Sequence, residues 1–259
     1  MNRSDKPFWI ALGLLGGLYV GLIVAMIGAD GLYALRGGIG KTLSSPEIRY
    51  AVGLSLFASS ASAALSLIVA VPLGYVMSRR AFRGRGLLDA VIDIPIVLPP
   101  LVVGLSLLIL FRAVPGVPFS IPSVVLAQFA VAAAFAVRTM RVTFDQIGPR
   151  SEQVAMTLGC TRAQAFDRVV LPEARHGMLA AFTMAWARSL GEFGPLLVFS
   201  GATRMRTEVL STSVFLELSV GRLDAAVAVS IVMVAVSVAT LLVVRALGAG
   251  PTLTRGLEA

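Results

Sequence analysis

The 259 residues contain only one cysteine and one histidine. Cys160 has no partner for an intrachain disulfide, and His176 has no second ligand beside it to complete a metal site. Charge is also scarce: Asp, Glu, Lys and Arg make up 14% of the chain, against about 25% in a soluble domain. Aromatic residues are 7%, and no basic stripe is interleaved with them, so the net charge of +8 does not read as a nucleic-acid surface. No Gly-x4-Gly-Lys-Ser/Thr loop is present to cradle nucleotide phosphates, and no His-Glu-x-x-His pair to hold a catalytic zinc.

Apolar sequence fills the space. Hydrophobic residues are 57% and the mean hydropathy is +0.87, more apolar surface than a soluble domain of this size can bury. Six stretches, near 8–27, 51–76, 91–111, 124–137, 179–199 and 225–244, are apolar. Each is about the 17–25 residues that cross a bilayer, except 124–137, which is expected to extend at one end. The first is too long for a signal-peptide core and no Ala-x-Ala site follows, so it reads as a retained helix.

Lys and Arg set the orientation. With the N-terminus inside, inner segments hold fourteen of the 22, outer segments hold seven, and Arg188 falls within a span. The expected fold is an all-α polytopic membrane protein with six transmembrane helices, both termini inside and a pair of short cytoplasmic helices. Residues 1–48 form the first span and an outer loop, 49–245 the main membrane domain and 246–259 a short tail.

Some local features have structural readings. Gly13, Gly17 and Gly21 share one face of the first span, and Ser55, Ser59 and Ala63 share one face of the second; both suit close helix packing. Pro95, Pro99 and Pro100 cannot all sit in a regular helix. Irregular backbone inside a membrane must be covered by protein or line a cavity, so the third span is predicted to break there. Arg188 and Glu192 lie four apart and can pair on one helical face. Ionisable groups within a span are functional candidates. Arg204 and Arg206 are expected just outside, where they can attract anions, and Asp89 and Asp93 at the membrane edge.

The segment from Glu152 to Pro172 departs from its surroundings. Ala155, Leu158, Phe166, Val169 and Val170 recur near helical spacing, with polar residues between them. Gly159 interrupts the pattern, Thr161 is a candidate N-cap for a second helix, and Pro172 is expected to end it. The prediction is helix, tight turn, helix, facing the cytoplasm. Its few bulky groups and balanced charges suit a groove on a partner protein better than a lipid surface.

These residues carry a resemblance. Gln153-Val154-Ala155, Gly159 and Val169-x-Leu171-Pro172 resemble, at the same spacing, the EAA loop of ATP-binding-cassette importer permeases of type I. Gln153 stands for the usual Glu, with Glu152 beside it, and Val154 for an Ala. The run from Pro95 to Gly104 is similar to the proline-rich third helix of the molybdate, tungstate and sulfate permeases. Ser189-Leu-Gly-Glu-Phe-Gly194 looks like their Leu-Gly-Glu-Phe-Gly segment, with Pro195 where many relatives have a small residue. Residues 224–230 match the start of their last helix, and the likeness covers roughly 49–245.

The resemblance implies a permease rather than an enzyme, in the plasma (inner) membrane. Two copies would form the pathway, a separate cytoplasmic ATPase subunit would use the ATP, and an extracytoplasmic binding protein would deliver molybdate or tungstate, with sulfate as the alternative. No cofactor is expected on this chain. On this reading Glu152 or Gln153, Leu158, Gly159, Phe166 and Pro172 form the ATPase-docking loop, with Phe166 and Leu158 as anchors. Pro95, Pro99, Pro100, Arg188, Glu192 and Phe193 belong to the pathway or gate. A passive channel would need a continuous polar lining and no docking loop, and an intramembrane hydrolase would need a paired acid–base motif.

Overall fold

The computed structural model describes residues 6–37 and 45–248. Among these the chain is entirely helical, without a strand. Ten α-helices follow in order: α1 (Lys6–Gly37), α2 (Pro46–Arg79), α3 (Arg85–Val97), α4 (Pro100–Phe111), α5 (Ile121–Gln146), α6 (Pro149–Thr157), α7 (Arg162–Ala165), α8 (Arg175–Leu190), α9 (Leu210–Ser219) and α10 (Leu223–Gly248). Wider π turns occupy Phe166–Val170 and Leu196–Ser200, and one α turn, Leu171–Glu173, joins the first of them to α8.

The core is the packing of α2, α5 and α8. Helix α2 starts at Ser45, whose Oγ accepts from the Ile48 N–H at 3.4 Å, with Pro46 in the first turn where its missing donor costs nothing. Its buried face is a line of small residues, Ser55, Ser59, Ala63, Ser66, Ala70 and Gly74. Small side chains let helix backbones approach closely, which drives association where lipid removes the hydrophobic incentive. At Gly74 the helices are in close contact, since an added Cβ would sit 2.9 Å from the Arg141 backbone nitrogen. Gly177 of α8 is pressed in the same way against Thr143 of α5. Met77, Met140 and Phe144 fill the core around that crossing, and Trp186 fills it farther along α8, where its Nε1–H donates to Ser60 Oγ at 3.2 Å.

The predicted break in the third span is present. Helices α3 and α4 meet at 109° across Leu98 and Pro99. Pro99 caps α4 and Pro100 occupies its first turn, while Pro95 is carried inside α3. Two ion pairs hold α3 against α5: Arg138 donates to Asp93 at 2.7 Å and Arg141 to Asp89 at 2.5 Å. These aspartates therefore serve as a strap between helices.

Among the described residues four helices are long and apolar enough to cross a membrane, or five when the bent pair counts as one span. The expected short span at 124–137 runs instead from Ile121 to Gln146, because Ser120 and Ser123 cap it reciprocally at one end and its helical pattern continues past Val137 at the other. The run predicted at 179–199 is divided. Helix α8 has 16 residues, about 24 Å at ~1.5 Å per residue, and ends at Gly191; Gly194 and Pro195 precede the π turn.

Among the described residues the glycine stripe of α1 packs on nothing, for a Cβ at Gly13, Gly17 or Gly21 meets no atom within 4 Å. Of the terminal assignments, residues 38–44 of the outer loop and 249–259 of the tail lie outside the described residues.

Candidate functional site

Local chemistry builds the elbow between α6 and α8. Gly159 takes a left-handed conformation, φ +91°, which costs an L side chain but not glycine. The turn closes with the Gly159 N–H on the Met156 carbonyl and the Cys160 N–H on the Ala155 carbonyl, both at 3.1 Å. Thr161 then caps α7: its Oγ1 accepts from the Gln164 N–H at 3.3 Å, and Gln164 Oε1 accepts from the Thr161 N–H at 2.9 Å.

Pro172 does not end this second helix. The chain stays helical to Leu190, since the π turn hands the Leu171 N–H to the Phe166 carbonyl and Pro172 follows at the start of a fresh α turn, where no donor is required.

The rotation of the elbow reverses part of the expected docking face. Glu152 points into the chain, 5% exposed. Its Oε1 accepts from the Tyr75 hydroxyl at 2.7 Å, and its Oε2 from Arg79 Nε at 3.3 Å. The same guanidinium donates to the carbonyls of Phe144 at 2.9 Å and Ile147 at 2.7 Å, which close α5. Phe166 is half-buried, its ring centroid 4.6 Å from that of Tyr75. Glu152 is thus tied into the chain, and Phe166 packs on Tyr75 with part of its ring still exposed. Gln153, Gly159 and Pro172 are exposed, with Val154 at 57% and Leu158 at 81%. Tyr75 and Arg79 escaped the sequence reading because they sit on α2, far along the chain; Arg79 registered only as an inner charge.

A second constellation gathers where the two broken segments cross. Gly194 rests on Pro100, where an added Cβ would lie 2.6 Å from the proline Cβ, and Gly104 rests on Pro195, at 2.7 Å from its Cα. Beside this crossing is a cavity of about 360 Å³ bordered by Pro100, Leu101, Arg188, Glu192, Phe193 and Phe215. Arg188 Nη1 pairs with Glu192 Oε2 at 2.5 Å. The carboxylate is recessed, its side chain 2% exposed, whereas the arginine side chain is 33% exposed. Phe193 stacks obliquely on Phe215 at 5.4 Å. Pro95 and Pro99 are not among the residues bordering this cavity; they lie within α3 and at the bend.

The remaining candidates are placed otherwise. Arg204 is held by buried Glu217 at 2.7 Å, and Glu217 also takes Arg222 at 3.2 Å. The Arg206 carbonyl accepts from the Tyr50 hydroxyl at 2.9 Å. No cluster among the described residues has the makings of a metal site.

Comparison with known proteins follows the same lines. Residues 70–250 match the family described as "Binding-protein-dependent transport system inner membrane component". The chain is 34% identical over 200 residues to the molybdate/tungstate transport system permease protein of Pyrococcus abyssi, covering 76% of this chain and 79% of that one. It is 34% identical over 259 residues to the probable molybdenum ABC transporter permease protein of Haloferax volcanii, covering 97% and 95%. To the sulfate transport system permease protein CysT of Salmonella typhimurium it is 32% identical over 217 residues, covering 79% and 78%. Among solved structures, a bacterial alginate ABC transporter in complex with alginate pentasaccharide-bound periplasmic protein has a chain of the same fold, with TM-score 0.74, 16% identity and coverage of 95% and 96%.

Proposed function

This chain belongs to the binding-protein-dependent transport system inner membrane components, and from that premise we propose that two copies of it line the pathway of an ATP-driven importer for a tetrahedral oxyanion. It is a multi-pass plasma-membrane protein and a transport subunit, not an enzyme. Relatives named for molybdate, tungstate and molybdenum support molybdate or tungstate as cargo. Sulfate is the second reading, favoured by the sulfate permease relative.

One observation carries the mechanism: a capped helix–turn–helix whose outer face exposes Val154 and Leu158 among polar residues and whose inner face is tied to the bundle. Gln153, Val154 and Leu158 are exposed on it, and Glu152 is latched to Tyr75 and Arg79. Exposed apolar anchors on a short helix, set among polar residues, suit a groove on another protein. We assign that groove to a cytoplasmic ATPase subunit, which supplies the ATP chemistry. Closure of the ATPase pair on ATP would move Leu158 and its helix, and the Arg79–Glu152 latch would pass that movement to α2.

The pathway would run past the crossing of Pro100 with Gly194, with Arg188, Glu192 and Phe193 at its wall and the bend at Pro95 and Pro99 as a movable support. An extracytoplasmic binding protein would deliver the ion. The excess of Lys and Arg on inner segments supports both termini in the cytoplasm. The divided run from Arg175 to Ser200 would count as a sixth, discontinuous span, of the kind that builds substrate paths in other transporters.

The test is uptake into proteoliposomes containing this chain, its ATPase subunit and its binding protein. ATP-dependent accumulation of radiolabelled molybdate or tungstate, with sulfate transported at least tenfold less well, is expected. Equal uptake without ATP would overturn the importer reading.

A further inference from the structure

Arg188 has more donors than the protein uses. A guanidinium carries five N–H groups in a planar fork. Among the described residues, its polar contact is the single pair of Nη1 with Glu192 at 2.5 Å, and its flat face lies 5.9 Å from the centroid of the Phe135 ring. The side chain is 33% exposed and borders the cavity. Leaving donors of a charged group without partners inside a membrane protein is costly, so such residues are kept for a purpose.

The surroundings suit a transient anion contact. Pro100, Leu101, Phe193, Leu197 and Phe215 make the rest of the wall mostly apolar, which thins the water and strengthens attraction between opposite charges. The recessed carboxylate of Glu192 leaves the guanidinium as the charge an entering ion meets. Two adjacent N–H groups of an arginine match two oxygens of a tetrahedral dianion. The cavity of about 360 Å³ has room for such an ion with part of its hydration shell.

We propose that Arg188, held in place by Glu192, is a stepping-stone site for the oxyanion inside the permease. This rests on the importer reading and adds a residue-level contact to it. Glu192 has a second part in this scheme. By offsetting the guanidinium charge it keeps the ion from lodging there, as a pathway residue must let its cargo leave.

The experiment follows protection of a cavity cysteine in the assembled complex, with Cys160→Ser removing the native thiol and Phe215→Cys supplying the probe. ATP-driven uptake by the native chain is measured first, and its absence would count against the importer reading itself; uptake is read in the native background and labelling in the double variant. Sodium tungstate is then titrated while a methanethiosulfonate reagent labels the cysteine, both nucleotide-free and vanadate-trapped. With Arg188 intact, tungstate is expected to slow labelling at least threefold in one of the two states. Arg188→Gln should abolish the protection and lower uptake at least tenfold, with the ATPase subunit still bound. Glu192→Gln, which keeps the arginine, should shift half-protection to a severalfold lower tungstate concentration. Protection that is absent throughout, that survives Arg188→Gln, or whose midpoint ignores Glu192→Gln overturns the proposal. If Arg188→Gln fails to assemble, the Glu192→Gln midpoint decides alone.

Discussion

Arg79 and Glu152 are 73 residues apart in the chain and meet at 3.3 Å in the interior, where α2 ends and α6 begins its course along the bundle. Their side chains are 12% and 6% exposed. Around them the Tyr75 hydroxyl and the last carbonyls of α5 complete the bonding, so one guanidinium fastens three helices at a single joint. A movement of α6 cannot be absorbed there without opening a buried ion pair.

Removing one partner should therefore be expensive. Arg79→Ala strands a buried carboxylate and two carbonyls, and is expected to cost about 3–5 kcal/mol, the range for a broken buried pair. Glu152→Gln keeps a hydrogen-bonding group for Tyr75 but loses the charge, and should cost less. Thermal unfolding of the purified permease in detergent measures both. The functional signature is specific: Glu152→Gln should retain the ATPase subunit while the ratio of ions imported to ATP hydrolysed falls. Undiminished stoichiometry would show that the joint carries no force.

Gly159 offers a cleaner separation of folding from coupling. Its φ of +91° costs an L residue roughly 1–2 kcal/mol, yet an added Cβ there meets no atom within 4 Å. Gly159→Asp should leave the permease folded and membrane-inserted, while binding-protein-stimulated ATPase activity is lost because the elbow no longer presents Leu158 correctly. Transport at the native rate would remove the docking role from this turn.

The crossing of the two broken segments should tolerate much less. A Cβ at Gly194 would press on Pro100, and one at Gly104 on the backbone of Pro195. Gly194→Ala and Gly104→Ala are each expected to destabilise by about 1–3 kcal/mol, as overpacking does. Transport should fall with stability in both. By contrast Asp93→Asn, at an ion pair whose arginine is 57% exposed, should change stability by less than about 1 kcal/mol. Melting temperatures of the three variants check the ranking.

What could be read in the sequence was what short range decides. Gly159 and Thr161 announce a turn and a cap through their own backbone preferences, and the prolines at 95, 99 and 100 announce a bend because they remove donors. The inward rotation of the elbow could not be read the same way. Whether Glu152 or Gln153 faces out depends on Tyr75 and Arg79, which only tertiary packing brings near. Phe166, a large apolar residue on a polar segment, suggests an anchor for a partner, and its contact with Tyr75 of the same chain is a tertiary one that spacing does not reveal. The π turn at Phe166–Val170 adds a residue to one turn and shifts the phase of every side chain after it, which a period of 3.6 does not anticipate. The divided run after α8 was read as one span because hydropathy averages over Gly191, Gly194 and Pro195.

The division of the elbow into an outer docking face and an inner latching face is tested most directly by site-specific photocrosslinking in the assembled complex. With benzoylphenylalanine at Leu158, irradiation should join this chain to the ATPase subunit; at Phe166 it should give products within the chain alone. Capture of the ATPase from position 166 and not from 158 would contradict the account.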